Sequence, residues 1–235
     1  MPRLVSLSQL RSDARLYADQ RPGGANAFIS DTELTRLVNL VLPKLYDLLV
    51  SARGEDYYTT RTPIPGEVDV RSTTAGVSDY SLPSDFYQLI SVKLVWGSSD
   101  WEEVPRRQTL DGMGGSWYGS PATWQRGCRK GYQLAGSRLR FLPIPTAATN
   151  YVLLYVPACP ILINDTDTFD GVNGWEDLVA LGVALRMHGI QESDGSAIGA
   201  LYREAKEGIE NLANERIAGL PHHVIDVCPE GYGPC

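Results

Sequence analysis

Residues 138–157 read RLRFLPIPTAATNYVLLYVP. Two apolar runs, Leu139 to Ile144 and Tyr151 to Val156, flank a turn-like stretch beside Pro143 and Pro145. Proline has no N–H to give a sheet ladder, so both prolines belong at an edge or bulge, and the two runs are expected to pair as a hairpin. Side chains alternate along a strand, which sets Tyr151, Leu153 and Tyr155 on one face and Val152, Leu154 and Val156 on the other. Both faces are apolar. The strand is therefore expected to be covered on both sides, by the core of its own sheet and by helices or a neighbouring subunit.

Around this pair, from about residue 57 to 164, Pro, Gly, Thr and aromatic residues are dense and helical periodicity is absent. EVDVRS (67–72), QLISVKLVW (88–96) and GYQLAG (131–136) are further strand candidates, separated by Gly and Pro punctuation. Short strands at this spacing predict a small antiparallel β-sandwich or barrel-like domain. LDGMGGSWYGSPATW (110–124) reads as a long loop with Trp117 and Tyr118 at its tip. Trp96, Trp101, Trp117 and Trp124 crowd the block. Most aromatic residues of a sandwich fill its core, and Trp117 with Tyr118 are the candidate loop contacts.

Helical spacing frames the block on both sides. SLSQLRSDARLYADQ (6–20) places Leu7, Leu10, Ala14 and Tyr17 along one face, and RPGGANAF (21–28) ends it. A longer helix starts where Ser30 and Glu33 fit a capping box, and carries Leu34, Leu37, Val38, Val41, Leu45, Leu48 and Leu49 at helical spacing. Pro43 should kink or split it, and Gly54 should stop it. NGWEDLVALGVALRMHGIQ (173–191) is apolar nearly all round and reads as a well-buried helix. In the last helix, before Gly219 and Pro221, Ile198, Leu201, Tyr202, Ala205, Ile209, Leu212 and Ala213 share a face. Ala and Gly at 197, 199, 200, 205 and 208 leave room there for another helix.

Helices of this kind need each other to bury their apolar faces. The expected class is α+β: a helical bundle from N- and C-terminal helices (1–56 and 165–220), an inserted β domain (57–164) and an extended C-terminal arm (221–235). The arm, PHHVIDVCPEGYGPC, holds prolines and glycines without periodicity, so it is expected to be ordered only by something that holds it down.

The bulk numbers exclude several classes. With 43% hydrophobic and 21% charged residues in 235, the chain has the composition of a globular protein with a sizeable core. A net charge of −7 argues against gripping nucleic acid by a basic face, though an acidic wall suits DNA that must slide past without sticking. The longest apolar run, YVLLYVPACPILI (151–163), is broken by Pro157 and Pro160 and falls short of the roughly 20 residues a membrane helix needs. The first residues lack the apolar core of a signal peptide. Cys128, Cys159, Cys228 and Cys235 show no CxxC pair and no ligand spacing, as expected of free thiols in a reducing cytoplasm.

No constellation for chemistry stands out. Asp165, Asp167 and Asp170 before Gly171 superficially suggest a calcium loop, but Phe169 falls where a ligand belongs and no bidentate Glu follows. They read as a polar connection suited to the next helix N-terminus. His222 and His223 are adjacent and point to opposite faces on a strand, and His188 stands alone on a buried-looking helix. Glu102 and Glu103 read as solvated. Neither a P-loop nor a nucleophile elbow is present. The expectation is no enzyme, no metal and no cofactor.

Three segments together resemble a known family. DYSLPSDFYQLISVKL (79–94) is similar to a Tyr-x-Leu-Pro-x-Asp-Phe segment that leads into a strand. Residues 138–157 are similar to its later Phe-x-Pro-x-Pro and Tyr-x-Leu-x-Tyr pair, and residues 175–216 resemble its paired C-terminal helices. Over about residues 28–217 the chain resembles the head-to-tail adaptor (connector) proteins of tailed bacteriophages, especially the tail tubular or head-completion type. The resemblance implies a ring of twelve copies docked beneath the portal protein and followed by a tail tube or nozzle protein. Genomic DNA would pass through without sequence-specific binding, and no membrane would be involved. It implies a place in the virion neck after synthesis in the host cytoplasm, and a portal-docking arm with His222, Val224, Ile225, Val227 and Tyr232. A second reading is a glycan- or protein-binding β module using Trp117, Tyr118 and Trp124, and a third is a hydrolase using the carboxylates at 165–170.

Overall fold

The computed structural model describes residues 4–19, 29–53, 58–96, 100–106, 130–172 and 174–215. The turn at 21–28, Gly54, the loop at 110–124, the side chains of Leu212 and Ala213, and the stop at Gly219 and Pro221 lie outside the described residues. In chain order the elements are β1 (Leu4–Ser6), α1 (Leu7–Tyr17), α2 (Asp31–Arg53), β2 (Thr60–Arg61), β3 (Asp79–Ser81), β4 (Phe86–Val95), β5 (Trp101–Val104), β6 (Gly131–Ala135), β7 (Arg138–Leu142), β8 (Asn150–Pro157), β9 (Thr168–Asp170), α3 (Asp177–Ile190) and α4 (Ser196–Glu215). The class is α+β. The chain divides into two compact units, one of Met1–Gly54 with Cys159–Cys235 and one of Glu55–Ala158.

The first unit is helical. Ser6 caps α1, its hydroxyl accepting the Gln9 N–H at 3.2 Å. Just before it, β1 pairs antiparallel with β9, Val5 opposite Phe169, an element the sequence reading did not contain. Three-residue strands carry too little periodicity to be read, yet this pair ties the start of the unit to its second half. The capping box of α2 is formed: the Ser30 N–H donates to the Glu33 carboxylate at 2.8 Å and the Glu33 N–H to the Ser30 hydroxyl at 3.3 Å. Of the two outcomes expected at Pro43, a kink or a split, the split does not occur: the helix runs on through it. A proline inside a helix costs about 3 kcal/mol. Here Leu34, Leu37, Val38, Val41, Leu42, Leu45, Tyr46 and Leu49 are all buried on both sides of it, against α1, α3 and α4. Burial of each large side chain contributes about 1.5–3 kcal/mol, so packing decides.

Helix α3 is buried on every side: Leu178 through Ala184 and Met187 are inaccessible, and α1, α2 and α4 all pack on it. The close approach falls on α3 rather than on the small residues of α4. A Cβ at Gly182 would lie 2.7 Å from Val41 Cγ1 and 3.1 Å from the Tyr202 ring, whereas one at Gly208 would meet nothing within 4 Å. The buried side of α4 runs through Ile198, Tyr202, Ala205 and Ile209, and Leu201, expected among them, is 47% exposed. One residue is 100° of helix, which carries position 201 off that stripe.

The second unit is a sandwich of two antiparallel sheets, in the order β2-β8-β4-β5 and β3-β7-β6. Val92, Leu94, Val104, Tyr151, Leu153 and Tyr155 from the first sheet meet Tyr132, Leu139 and Phe141 from the second in one core. The expected hairpin at 138–157 is not formed. β7 pairs with β3 and β6, β8 pairs with β2 and β4, and residues 143–149 carry the chain from one sheet to the other. Pro143 and Pro145 thus lie in a crossover between sheets, where no ladder requires their N–H groups. On the apolar second face of β8, Val152 and Val156 are already buried within the single chain and Leu154 between them is half-buried, so no neighbouring subunit is needed to cover it. EVDVRS is not a strand either. The Glu67 carboxylate accepts the Ile64 N–H at 3.0 Å and pairs with Arg61 at 2.8 Å, Gly66 and Asp69 take positive φ, and the segment turns.

Gly182→Ala should destabilise the chain by about 1–3 kcal/mol through overpacking, and Val41→Ala in the same chain should recover part of that loss. Urea unfolding of the two single variants and the double variant measures the coupling. Equal stability of Gly182→Ala and wild type contradicts the packing described.

Candidate functional site

The motif residues converge on the sandwich core. The rings of Tyr80 (β3), Phe141 (β7) and Tyr151 (β8) form a triangle of edge-to-face contacts, with centroids 5.4–5.6 Å apart. Such pairs contribute about 0.5–1.5 kcal/mol each beyond area burial, and here they join the two sheets. The Tyr80 hydroxyl accepts the Thr74 N–H and donates to the Val77 carbonyl, both at 2.8 Å, fixing the loop before β3. A second group stands at the other end of β8. Phe86 stacks on Tyr155 at 5.9 Å, and the Tyr155 hydroxyl donates to Asp85 at 3.0 Å. The Asp85 carbonyl accepts the Ala158 N–H at 2.6 Å. Tyr80, Leu82, Asp85 and Phe86 of the first motif, with Tyr151, Leu153 and Tyr155 of the later one, are therefore one frame.

The polar groups singled out from sequence are also tied into structure. Asp165 pairs with Arg11. The Asp167 carboxylate accepts the N–H groups of Asn164 and Ile163 at 2.8 and 2.7 Å, bonds that hold it below the usual carboxylate range. Asp170 accepts the Val172 N–H at 3.1 Å. The three acids thus build turns and one ion pair instead of converging. His188 Nδ1 lies 2.7 Å from the Ser193 hydroxyl, a contact inside the α3–α4 corner. Among the described residues no group of three or more His, Cys, Asp or Glu is arranged to hold a metal, and no described helix is long and apolar enough to cross a membrane. Burial, followed by the charge of Asp47, pushes the Cys159 thiol up to about 12, so thiolate is scarce at neutral pH.

Glu102 is not simply solvated. Its carboxylate accepts Lys130 Nζ at 3.0 Å and Trp96 Nε1 at 2.7 Å, and the same ammonium lies 5.0 Å from the Trp96 ring centroid. Lys130 is buried, which no local pattern announces: it follows the Gly-rich segment, and its partner is 28 residues back. Asn39 is the other residue missed. Its side chain takes both backbone groups of Leu162, the N–H at 2.9 Å and the carbonyl at 2.7 Å, and so holds an extended strap against α2 with Ile161 and Ile163 exposed beside the buried Leu162. A lone amide in an otherwise apolar helix stretch was the available signal.

The remaining candidates fall elsewhere. Trp117, Tyr118, Trp124, His222, His223, Val224, Ile225, Val227 and Tyr232 lie outside the described residues, as do Cys128, Cys228 and Cys235. Trp96 packs beside the core, and Trp101, at the start of edge strand β5, is 39% exposed. Large apolar side chains stand exposed on both units, Leu16, Leu40, Ile161, Ile163 and Leu201 on the helical one and Val68, Tyr87 and Ile144 on the sandwich. A family model described as SU10 adaptor protein matches residues 5–224, across both units. No curated protein matches the chain.

Burial, and then the Asp85 carboxylate, pushes the Tyr155 hydroxyl up to about 12. A phenol raised in the folded state contributes stability that is whole below its unfolded pKa of about 10 and is lost as pH rises to about 12. Wild type should therefore lose stability across that window, and Tyr155→Phe should lose less. Alkaline unfolding with tyrosinate absorbance as the second readout checks this, and Tyr155 ionising near pH 10 contradicts it.

Proposed function

The chain belongs to the SU10 adaptor protein family, and from that membership we propose that it forms a ring beneath the portal of a phage head, joins the portal to the tail, and lets DNA pass. At the coarser level it is a structural adaptor of the virion neck. The observation that carries the proposal is the extent of the match, residues 5–224, which takes in both the helical unit and the sandwich. The physical character of the chain supports it. Residues of two motif segments, Tyr80, Leu82, Asp85, Phe86, Tyr151, Leu153 and Tyr155, serve the frame of the sandwich, a role that suits a structural adaptor. The net charge of −7 keeps a channel wall from retaining phosphate. No catalytic step is part of the proposal, and no described observation favours the glycan-binding reading.

The twelve-copy stoichiometry, the tail tube or nozzle protein as the lower partner, and the C-terminal arm as the portal contact belong to the same proposal. The arm, with Val224, Ile225, Val227 and Tyr232 as apolar anchors and His222 beside them, would bind by ordering on the portal surface, so its removal costs affinity without touching the frame.

Mass photometry of the protein alone and with portal rings tests the ring. A closed assembly near twelve copies under either condition is the expected outcome, and a monomer under both overturns it. Deletion of residues 221–235 should weaken portal binding by tenfold or more with an unchanged melting temperature. Undiminished binding removes the arm from the proposal.

A further inference from the structure

Two exposed stripes on the helical unit differ in charge. On α2, Arg36, Leu40 and Lys44 recur every four residues on the side away from the core, with Leu40 48% exposed. Glu33, one turn earlier, is committed to Ser30, and Asp47 is the acid that follows. On α4, Ala200, Glu204, Glu207 and Asn211 lie opposite the buried stripe, and Leu201 borders them. Two cations share that helix: Lys206, which pairs with Glu210 at 3.6 Å, and Arg203, at the edge of the stripe one turn before Glu207, whose Nε donates to the Gly199 carbonyl at 3.2 Å. Composition follows the same division. Residues 1–54 carry seven Lys and Arg against five Asp and Glu, and residues 159–235 carry four against thirteen.

We propose that these stripes are the lateral interface between copies, the α2 stripe of one copy seated on the α4 stripe of the next. Leu40 packs at the Leu201 end of the α4 stripe, and the cations that flank it, Arg36 and Lys44, about 12 Å apart along the helix, face the carboxylates of Glu204 and Glu207. This inference rests on the ring reading above and specifies which surfaces make the ring. The occupant is a second copy because each stripe supplies what the other lacks: two cations around a leucine on one, two carboxylates beside a leucine on the other. The stripes belong to different helices, so the contact is head-to-tail, the kind that closes into rings rather than pairing two copies face to face. Such charges set register and reject wrong pairings more than they supply affinity, and salt screens them over about 8–10 Å.

The full chain carrying Arg36→Glu with Lys44→Glu, and separately Glu204→Lys with Glu207→Lys, tests this by mass photometry at about 0.1 M salt, alone and with portal rings. Each variant by itself opposes like charges and should lose at least tenfold in ring population. An equimolar mixture should recover rings, because each reversed stripe then meets a complementary one on the other variant. Thermal melts confirm folding, and if either double variant melts early, Lys44→Glu and Glu204→Lys replace it with the same reading. Rings of wild type that persist in both folded variants, or a mixture that recovers none, overturn the interface while leaving the ring intact. A wild type that forms no ring under either condition overturns the ring reading and this interface with it.

Discussion

The first two turns of helix α3 have no side to give to water. Seven consecutive residues, Leu178 to Ala184, are buried, and a helix of that kind is stable only inside other helices. The three that enclose it lie far apart in the chain: α1 and α2 come before the sandwich, and α4 comes after. The polypeptide must therefore leave the helical unit at Gly54 and return to it at Cys159. The antiparallel pairing of β1 with β9 and the Asn39 grip on Leu162 secure that return at two further points. Gly182 sets how close the enclosure is, since α2 and α4 reach α3 where only a hydrogen can stand.

The inserted unit is organised by β8. Its neighbours are β2 and β4, and its inward rings, Tyr151 and Tyr155, engage Tyr80 and Phe141 on one side and Phe86 with Asp85 on the other. Two of the three segments by which the chain resembles phage adaptors, 79–94 and 138–157, thus supply residues that hold two sheets together. They say little about what the protein touches, which for an adaptor is decided on the surface.

That division explains what could be read beforehand. The capping box at Ser30 and Glu33, the buried course of α3 and the strands β4, β6, β7 and β8 were legible, because burial on one face or on all faces imposes a period on a long enough segment. Strands of two to four residues, such as β1, β2, β3, β5 and β9, carry at most two alternations, too few to detect. The Lys130–Glu102–Trp96 cluster and the Asn39–Leu162 clamp join residues 28 and 123 positions apart, and no local pattern announces a partner at such distance. EVDVRS failed for the opposite reason. It alternates like a strand, but Glu67 spends its carboxylate on a turn and leaves Val68 in solvent.

By itself the sequence determined the α+β class, the order helices–β block–helices, and the family, because periodicity, capping and motif order are local properties written along the chain. Only the tertiary structure decided that the two apolar runs of residues 138–157 part into different sheets, that the second face of β8 is closed within one chain, and that Leu201 faces outward beside Glu204. The physical reason is the same in each case. Alternation and helical spacing tell which residues share a face, but what covers that face depends on segments remote in the chain, and so does what remains uncovered for a partner.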